Sequence, residues 1–208
     1  PDMDLASGAF RLASGEIIFG GVVDGSDVHN PVYFGKTNDQ GTLVGNPNLY
    51  HPATGEETIA LLKEKPTPIR DVAGNIVGFL ASQLHKAAPG APEQRVLLQL
   101  DLNLNLVSAR VYQSIIPGVS ERFTDAIQDS NGDFIVVGQI NKAVFRSGFI
   151  MRVEPNMNIR NYELIEHQNE DIYLDQVLEA AVAFPAFPGG PINSAYVIGG
   201  HLLSGELF

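Results

Sequence analysis

A degenerate repeat dominates this sequence and limits the folds that are open to it. Four segments open on a turn residue and continue into an apolar, β-prone run; they begin at Gly15, Gly74, Gly132 and Asn193. The starts are therefore 59, 58 and 61 residues apart. Repeats of about 20–50 residues or slightly more are typical of solenoids, propellers and arrays. Because the repeated unit is built of strands alone, the sequence predicts the blades of a β-propeller.

The third repeat shows the strand order most clearly. Strands are predicted at residues 123–127, 133–140, 148–153 and 159–165. An Asp-Ser-Asn-Gly turn at 129–132 separates the first two strands, and Asn-Gly is the strongest short hairpin signal. Four antiparallel strands in sequence make one propeller blade.

Two further matches extend the pattern to other repeats. Residues 98–106 align with residues 151–159 at a constant offset of 53, including an Asn-x-Asn turn. Residues 171–183 have helical spacing of apolar positions. However, residues 173–177 align with 123–127 at an offset of 50, so a first strand is predicted there instead.

The predicted architecture is all-β, a propeller or propeller segment with about three and a half four-stranded antiparallel blades. The repeats cover residues 5–55, 56–116, 117–167 and 168–208 of a single domain, and the last is incomplete. An open arc would leave apolar faces in water. Three arrangements stay open: an arc of a larger propeller with about six to eight blades, a four-bladed ring, or a chain that packs against another chain. The first is favoured.

Composition excludes several classes of function. The net charge of −11 argues against binding to nucleic acid or to an anionic membrane surface. No apolar run reaches the length of a membrane helix, so direct membrane insertion is not expected. The chain has no cysteine, which rules out structural disulfides and thiolate zinc sites. It starts at Pro1, so we expect that a segment precedes it.

The block at 131–138, followed by the strand at 148–153 and a polar Asn-rich turn, resembles the long-blade β-propeller repeats of exported bacterial proteins. Such repeats are familiar from Bacteroidota surface and secretion-linked proteins. The resemblance covers nearly the whole chain but only at the level of the repeat. It implies a non-catalytic scaffold or binding role outside the cytoplasm.

One turn carries a weak metal-binding pattern. Asp129, Asn131 and Asp133 place oxygen ligands at alternate positions, as calcium loops do. Phe134 stands where the loop requires glycine, and Ile140 stands where it requires a bidentate glutamate. A solvated hairpin turn is therefore the favoured interpretation, and no metal or other cofactor is predicted. No two of the five histidines have the spacing of a local metal pair.

Catalytic motifs are absent from the sequence, and an enzyme is not favoured. There is no Walker loop, and the nearest approach to a nucleophile elbow, at 118–122, lacks its last glycine. A propeller enzyme would need carboxylates such as Asp24, Asp71 or Asp125 to converge at the channel mouth. Asp125 and Asp175 hold matching positions in two repeats, which predicts a structural hydrogen bond that caps a turn.

Aromatic residues on irregular segments are the better candidates for binding. Phe184 and Phe187 lie on a Pro-Gly-rich insertion, and Tyr50 lies in a second irregular loop. Loops held by a rigid scaffold often carry recognition, and an aromatic anchor can be an interface hot spot.

These observations predict a non-catalytic β-propeller scaffold that binds protein partners, within a multi-subunit complex, in an exported or cell-surface assembly. One alternative is a propeller enzyme or glycan-binding protein with a site at the channel mouth. A second is a structural subunit of a secretion or phage-like particle.

Overall fold

Every element of regular structure that we describe is a β-strand, so the all-β prediction is confirmed for these residues. The structure is a computed structural model, and it describes residues 3–24, 32–50, 57–60, 66–88, 91, 93–142, 145–166, 171–180 and 195–202. Among those residues there is no helix long and apolar enough to cross a membrane. The chain divides into two units, residues 1–123 and 124–208.

Sheet one is an antiparallel meander of four strands in chain order. It contains β1 (Met3–Arg11), β2 (Ile17–Asp24), β3 (Val32–Thr37) and β4 (Asn48–Tyr50). The strand β4 is short and pairs with β3 over three positions.

Sheet two has four strand positions, the first of which is divided between two short strands. It contains β5 (Glu57–Ala60), β6 (Thr67–Arg70), β7 (Ile76–Lys86), β8 (Gln94–Leu100) and β9 (Leu106–Tyr112). The strand β5 pairs with the end of β7, and β6 pairs with its beginning. Together they fill the place of one strand beside β7.

Sheet three is a complete antiparallel meander. It contains β10 (Ser120–Gln128), β11 (Phe134–Asn141), β12 (Arg146–Val153) and β13 (Ile159–Ile165). The four strands predicted in the third repeat are therefore confirmed.

Sheet four is described by two antiparallel strands, β14 (Ile172–Ala180) and β15 (Ala195–Leu202). The strand prediction for this part of the chain is confirmed, because Ile172–Ala180 form a strand although their apolar residues also have helical spacing. The apolar side chains at 172, 174 and 177 are buried in a sheet, where a bulge between Leu174 and Gln176 shifts the alternation.

Six turns between described strands have the same backbone hydrogen bonds. In each, the first residue donates to the carbonyl of the fifth, and the fourth donates back to the carbonyl of the first. The fourth residue has positive φ, as in hairpins that close with a glycine bulge. These residues are Gly15, Gly41, Gly74, Leu104, Gly132 and Met157. Leu104 and Met157 are 53 residues apart, so the aligned second and third repeats adopt the same turn.

Each unit has its own apolar core. In the first unit, Ile18 and Phe34 of sheet one pack with Phe79 and Leu98 of sheet two. In the second unit, side chains of β11 and β14 form a cluster that includes Val137 and Leu174. Both cores lie between the faces of neighbouring sheets.

Candidate functional site

The turn at 129–133 is the centre of the charged cluster that we take as the candidate site. Asp129 N donates to Asp133 O over 2.7 Å, and Gly132 N donates to Asp129 O over 3.0 Å. One carboxylate oxygen of Asp129, Oδ1, accepts from the backbone N–H groups of Asn131 and Asp133 at 2.8 and 2.9 Å. The aspartate side chain thus holds the turn in shape, as Asx residues commonly do.

Arg152 joins this turn to β12. Its Nη2 lies 2.7 Å from Asp129 Oδ2, and its Nε lies 2.7 Å from Asp133 Oδ2. Both aspartates are buried. The hydrogen bond to Asp133 and the nearby charges of both carboxylates raise the pKa of Arg152 above its ordinary value. Since a buried carboxylate is unfavourable unless it is paired, the guanidinium stabilises both.

Two more side chains complete the cluster. Arg160 of β13 places Nη1 at 2.8 Å from Asp133 Oδ2 and also pairs with Glu154 Oε1 at 3.1 Å. The hydroxyl of Tyr196 on β15 donates to Asp129 Oδ2 over 3.0 Å. The cluster therefore ties the first turn of sheet three to β12, β13 and sheet four.

This geometry bears on the weak metal pattern in the sequence. The oxygens Asp129 Oδ2 and Asp133 Oδ2 converge on the guanidinium of Arg152, and Asp129 Oδ1 accepts the turn N–H groups. The side chain of Asn131 is exposed. Within the described residues there is no group of three or more His, Asp or Glu side chains that could hold a metal ion. The arrangement is chemically suited to cross-link strands.

The other carboxylates named from the sequence serve local structure where they are described. Asp71 Oδ1 accepts from Ala73 N and Asn75 N at 2.9 Å, and hydrogen bonds from Asn75 hold the pKa of Asp71 below its usual range. Asp125 Oδ2 accepts the N–H of Val177 over 3.0 Å. That donor belongs to a strand of sheet four beside its bulge, so the predicted cap on a turn is instead a link between sheets.

Of the three aromatic residues named as binding candidates, the structure describes Tyr50. Tyr50 ends β4, where it is half-buried and packs against the core of the first unit. The strand environment thus covers part of a ring that the sequence places in an irregular loop. Phe184 and Phe187 lie outside the described residues.

Sequence reasoning missed a buried ion pair in the first unit. Arg95 of β8 and Glu121 of β10 are almost completely buried, and Arg95 Nη2 lies 2.6 Å from Glu121 Oε2. The Arg95 guanidinium also lies 5.3 Å from the ring centre of Phe123. Such a pair is weak evidence for stability but leaves a large penalty if one partner is removed.

Glu121 also fastens the connection between β9 and β10. Its Oε1 accepts from Ser114 Oγ at 2.6 Å and from Ile115 N at 3.1 Å. The nearest sequence signal was Arg95 itself, a charge at the start of the apolar strand Gln94–Leu100. Its partner lies 26 residues later in the chain, and no local pattern connects the two.

Comparisons with known proteins give distant structural similarity alone. No family model and no curated protein matches the chain. A protein of unknown function from Bacteroides caccae matches 82% of this chain with 10% identity and a TM-score of 0.44, and this chain spans 53% of that structure. A hypothetical protein from Leishmania major matches 99% of this chain with 8% identity and a TM-score of 0.36, over 83% of its own length. Similarity at this level carries no argument about function.

Proposed function

We propose that the chain is part of a β-propeller that acts as a non-catalytic scaffold for protein–protein interaction. The support for a propeller is the succession of four-stranded antiparallel meanders along the chain. The resemblance to exported bacterial repeats further supports a place in an extracytoplasmic or cell-surface assembly.

The observation that carries the scaffold function is the exposed apolar surface of β9. This strand is the last in sheet two, so its outer edge has no hydrogen-bonded strand among those described. Val107 and Val111 are 61% and 46% exposed, and Leu106 is 41% exposed. A long, apolar edge strand is a template for pairing with another chain. Partner proteins bind such edges by adding a strand to the sheet, and the side chains of that strand fit into neighbouring pockets.

The charged cluster points in the same direction. A general acid or base must be able to reach a substrate proton. Asp129 and Asp133 are instead buried and held by arginine, tyrosine and backbone donors. Asp71 is exposed, yet its Oδ1 accepts two N–H groups of its own turn. These groups contribute to the shape of the sheets, which supports a scaffold over an enzyme.

Site-specific photo-cross-linking tests the proposal. A photoreactive amino acid is placed at Val107 in the full chain, expressed in the cells that encode it, and the cross-linked products are identified by mass spectrometry. The matched control is Val72, an equally apolar and fully exposed residue in the turn before β7. We expect a discrete protein adduct from position 107, which disappears when Val111→Lys is added, and none from position 72.

Two outcomes would contradict the scaffold. Identical products from both positions would mean that β9 has no special role. Saturable binding of an oligosaccharide by the purified chain, without a protein adduct at 107, would favour the glycan-binding alternative. Fractionation of the same cells tests the location, and we expect the chain outside the cytoplasm.

A further inference from the structure

Sheets three and four meet through corresponding strands that use different groups. Thr124 Oγ1 of β10 donates to the carbonyl of Leu174 on β14, and Val177 N donates to Asp125 Oδ2 over 3.0 Å. The repeat alignment equates Thr124 with Leu174 at an offset of 50. Sheet three uses side chains in this contact, and sheet four uses backbone groups at nearly the same repeat positions. The two contacting surfaces are therefore different, which makes the contact heterologous.

The first strand of sheet one has the same backbone form as the first strand of sheet four. In β1 a bulge separates Ala6 from Gly8, and Gly8 lies opposite Gly20. In β14 a bulge separates Leu174 from Gln176, and Gln176 lies opposite Gly199. The next pairs are Ala9 with Phe19 and Val177 with Ile198. Ala9 thus has the register position of Val177, whose N–H is bound by Asp125.

Val197 of sheet four is exposed where the equivalent side chains of sheets one and three are buried. Ile18 and Ile135 lie three residues after the equivalent turn glycines of sheets one and three and are 0% and 3% exposed. Each packs against the sheet that follows. Val197 has the position of Ile18, because each lies two residues before the glycine that pairs beside the bulge, Gly199 in sheet four and Gly20 in sheet one. Val197 is nevertheless 57% exposed. A side chain added at Gly199 would meet nothing within 4 Å.

The opposite face of sheet one has an aromatic surface. Alternation along β2 places Phe19 on the face away from Ile18. Phe19 and Tyr33 are half-buried and pack edge to face with ring centres 6.1 Å apart. The corresponding face of sheet two, which includes Phe79 and Leu98, is buried against sheet one.

We propose that sheet four of one copy of this chain packs against sheet one of a second copy. Val197 and the open space over Gly199 receive the aromatic face of Phe19 and Tyr33. The first strands β14 and β1 lie side by side, as β10 and β14 do within one chain. The second copy is the occupant because β1 repeats the bulge and register that β14 presents to sheet three. This self-association is separate from the binding of other proteins at β9.

Light scattering after size exclusion, with the full 208-residue chain, tests the contact. We expect the wild-type chain to form dimers or larger species, with a mass at least twice 22.4 kDa. Val197→Lys and Ala9→Lys each place a charge on one side of the contact, at exposed positions that leave the cores intact. Each variant alone should be monomeric. Val72→Lys, at a fully exposed valine in the turn before β7, should assemble like the wild type.

Mixing distinguishes a heterologous contact from any other. The Ala9→Lys copy keeps the sheet four surface, and the Val197→Lys copy keeps the sheet one surface. An equimolar mixture should therefore recover a dimer that neither variant forms alone. If either lysine variant fails to fold, the milder change Val197→Thr replaces it. Val197→Thr should raise the dissociation constant of the dimer by about ten-fold or more.

Three results would overturn the proposal. They are a monomeric wild-type chain at every concentration, lysine variants that associate as tightly as the wild type, and a mixture of folded variants that stays monomeric. Because cross-linking at 107 is measured separately, loss of self-association leaves the scaffold proposal standing, and the reverse also holds.

Discussion

Arg152 donates from Nε to Asp133 Oδ2 over 2.7 Å, and this bond joins β12 to the turn that opens β11. The same guanidinium binds Asp129, so two buried carboxylates depend on one cation. Breaking a buried pair is strongly destabilising because the remaining charge stays buried without compensation.

We therefore expect Arg152→Gln to lower the free energy of unfolding by about 2–3 kcal/mol, somewhat less than for a fully buried pair because the arginine is partly exposed. Arg160→Gln is the matched control, since Arg160 binds the same Asp133 but is 52% exposed. Its effect should stay below about 1 kcal/mol. Urea denaturation of both variants measures the difference. Equal losses would mean that Arg152 stabilises the buried carboxylates no more than Arg160 does.

The ion pair between Arg95 and Glu121 gives a larger expected effect. Glu121→Gln leaves a fully buried guanidinium without its counter-charge, which should cost about 3–5 kcal/mol of stability. The double variant Arg95→Met/Glu121→Gln removes that charge, so it should recover part of the loss.

Hydrogen exchange separates the two roles of Glu121. The N–H of Ile115 donates to Glu121 Oε1, and glutamine keeps an oxygen there that can accept, so the protection of Ile115 should stay close to that of the wild type in both variants if the buried charge alone causes the loss. A double variant that is no more stable than Glu121→Gln would show that the loss comes from the unfastened loop and not from the buried charge.

Local patterns were enough to predict most strands. The fourth strand of sheet three was predicted at 159–165 and is found at Ile159–Ile165. The turn residues and the β-prone runs that set such bounds are neighbours in sequence. The repeat alignment also placed β14 correctly over a helical pattern, because the matching strand in sheet three was unambiguous.

Contacts between residues that are far apart in sequence could not be predicted from these local patterns. The oxygen spacing of 129–133 is shared by calcium loops and by turns whose aspartate binds backbone N–H groups. What separates them here is Arg152, which reaches back 23 residues to Asp129. Arg95 and Glu121 are likewise brought together only by packing.

The structure also moves the alignment of the fourth repeat by one residue. Equating Asn193 with Gly132 pairs Val197 with Val136, whereas the register pairs Val197 with Ile135. Residues 181–194 separate β14 from β15 in place of the five-residue turn, so an alignment that starts at Asn193 gives the wrong face. A shift of one residue turns a side chain to the other side of a sheet.

Tyr112 provides a prediction about alkaline pH. It is 4% exposed, and burial raises its pKa to about 12, against the opposing effect of Arg110 and Arg95 nearby. The unfolded chain loses this proton near pH 10, so between about pH 10 and 12 the native state binds more protons and stability falls as pH rises.

We expect the contribution of Tyr112 to decrease by about 2 kcal/mol across that window. Tyr112→Phe should remove this part of the slope while keeping the ring that packs on Phe123 at 6.1 Å. Denaturation at several pH values in both proteins measures it. Parallel curves for the two proteins would show that Tyr112 titrates normally.

Gly148 allows sheets three and four to approach each other. A Cβ at this position would lie 2.6 Å from Leu174 Cγ and 2.8 Å from its Cδ1. Leu174 is fully buried in the core of the second unit and has little room to move. Gly148→Ala should therefore lower the free energy of unfolding by about 1–3 kcal/mol through overpacking.

A double-mutant cycle identifies the cause. Leu174→Val shortens the side chain that the new methyl group meets and is itself destabilising through lost packing. If the clash is specific, the two changes together should cost less than the sum of their separate effects, with a coupling of about 1 kcal/mol. Additive losses would instead mean that Gly148 is required by its own backbone in β12. In that case the close packing of the two sheets would depend on the hydrogen bonds that Thr124 and Asp125 form with β14 and not on the missing side chain.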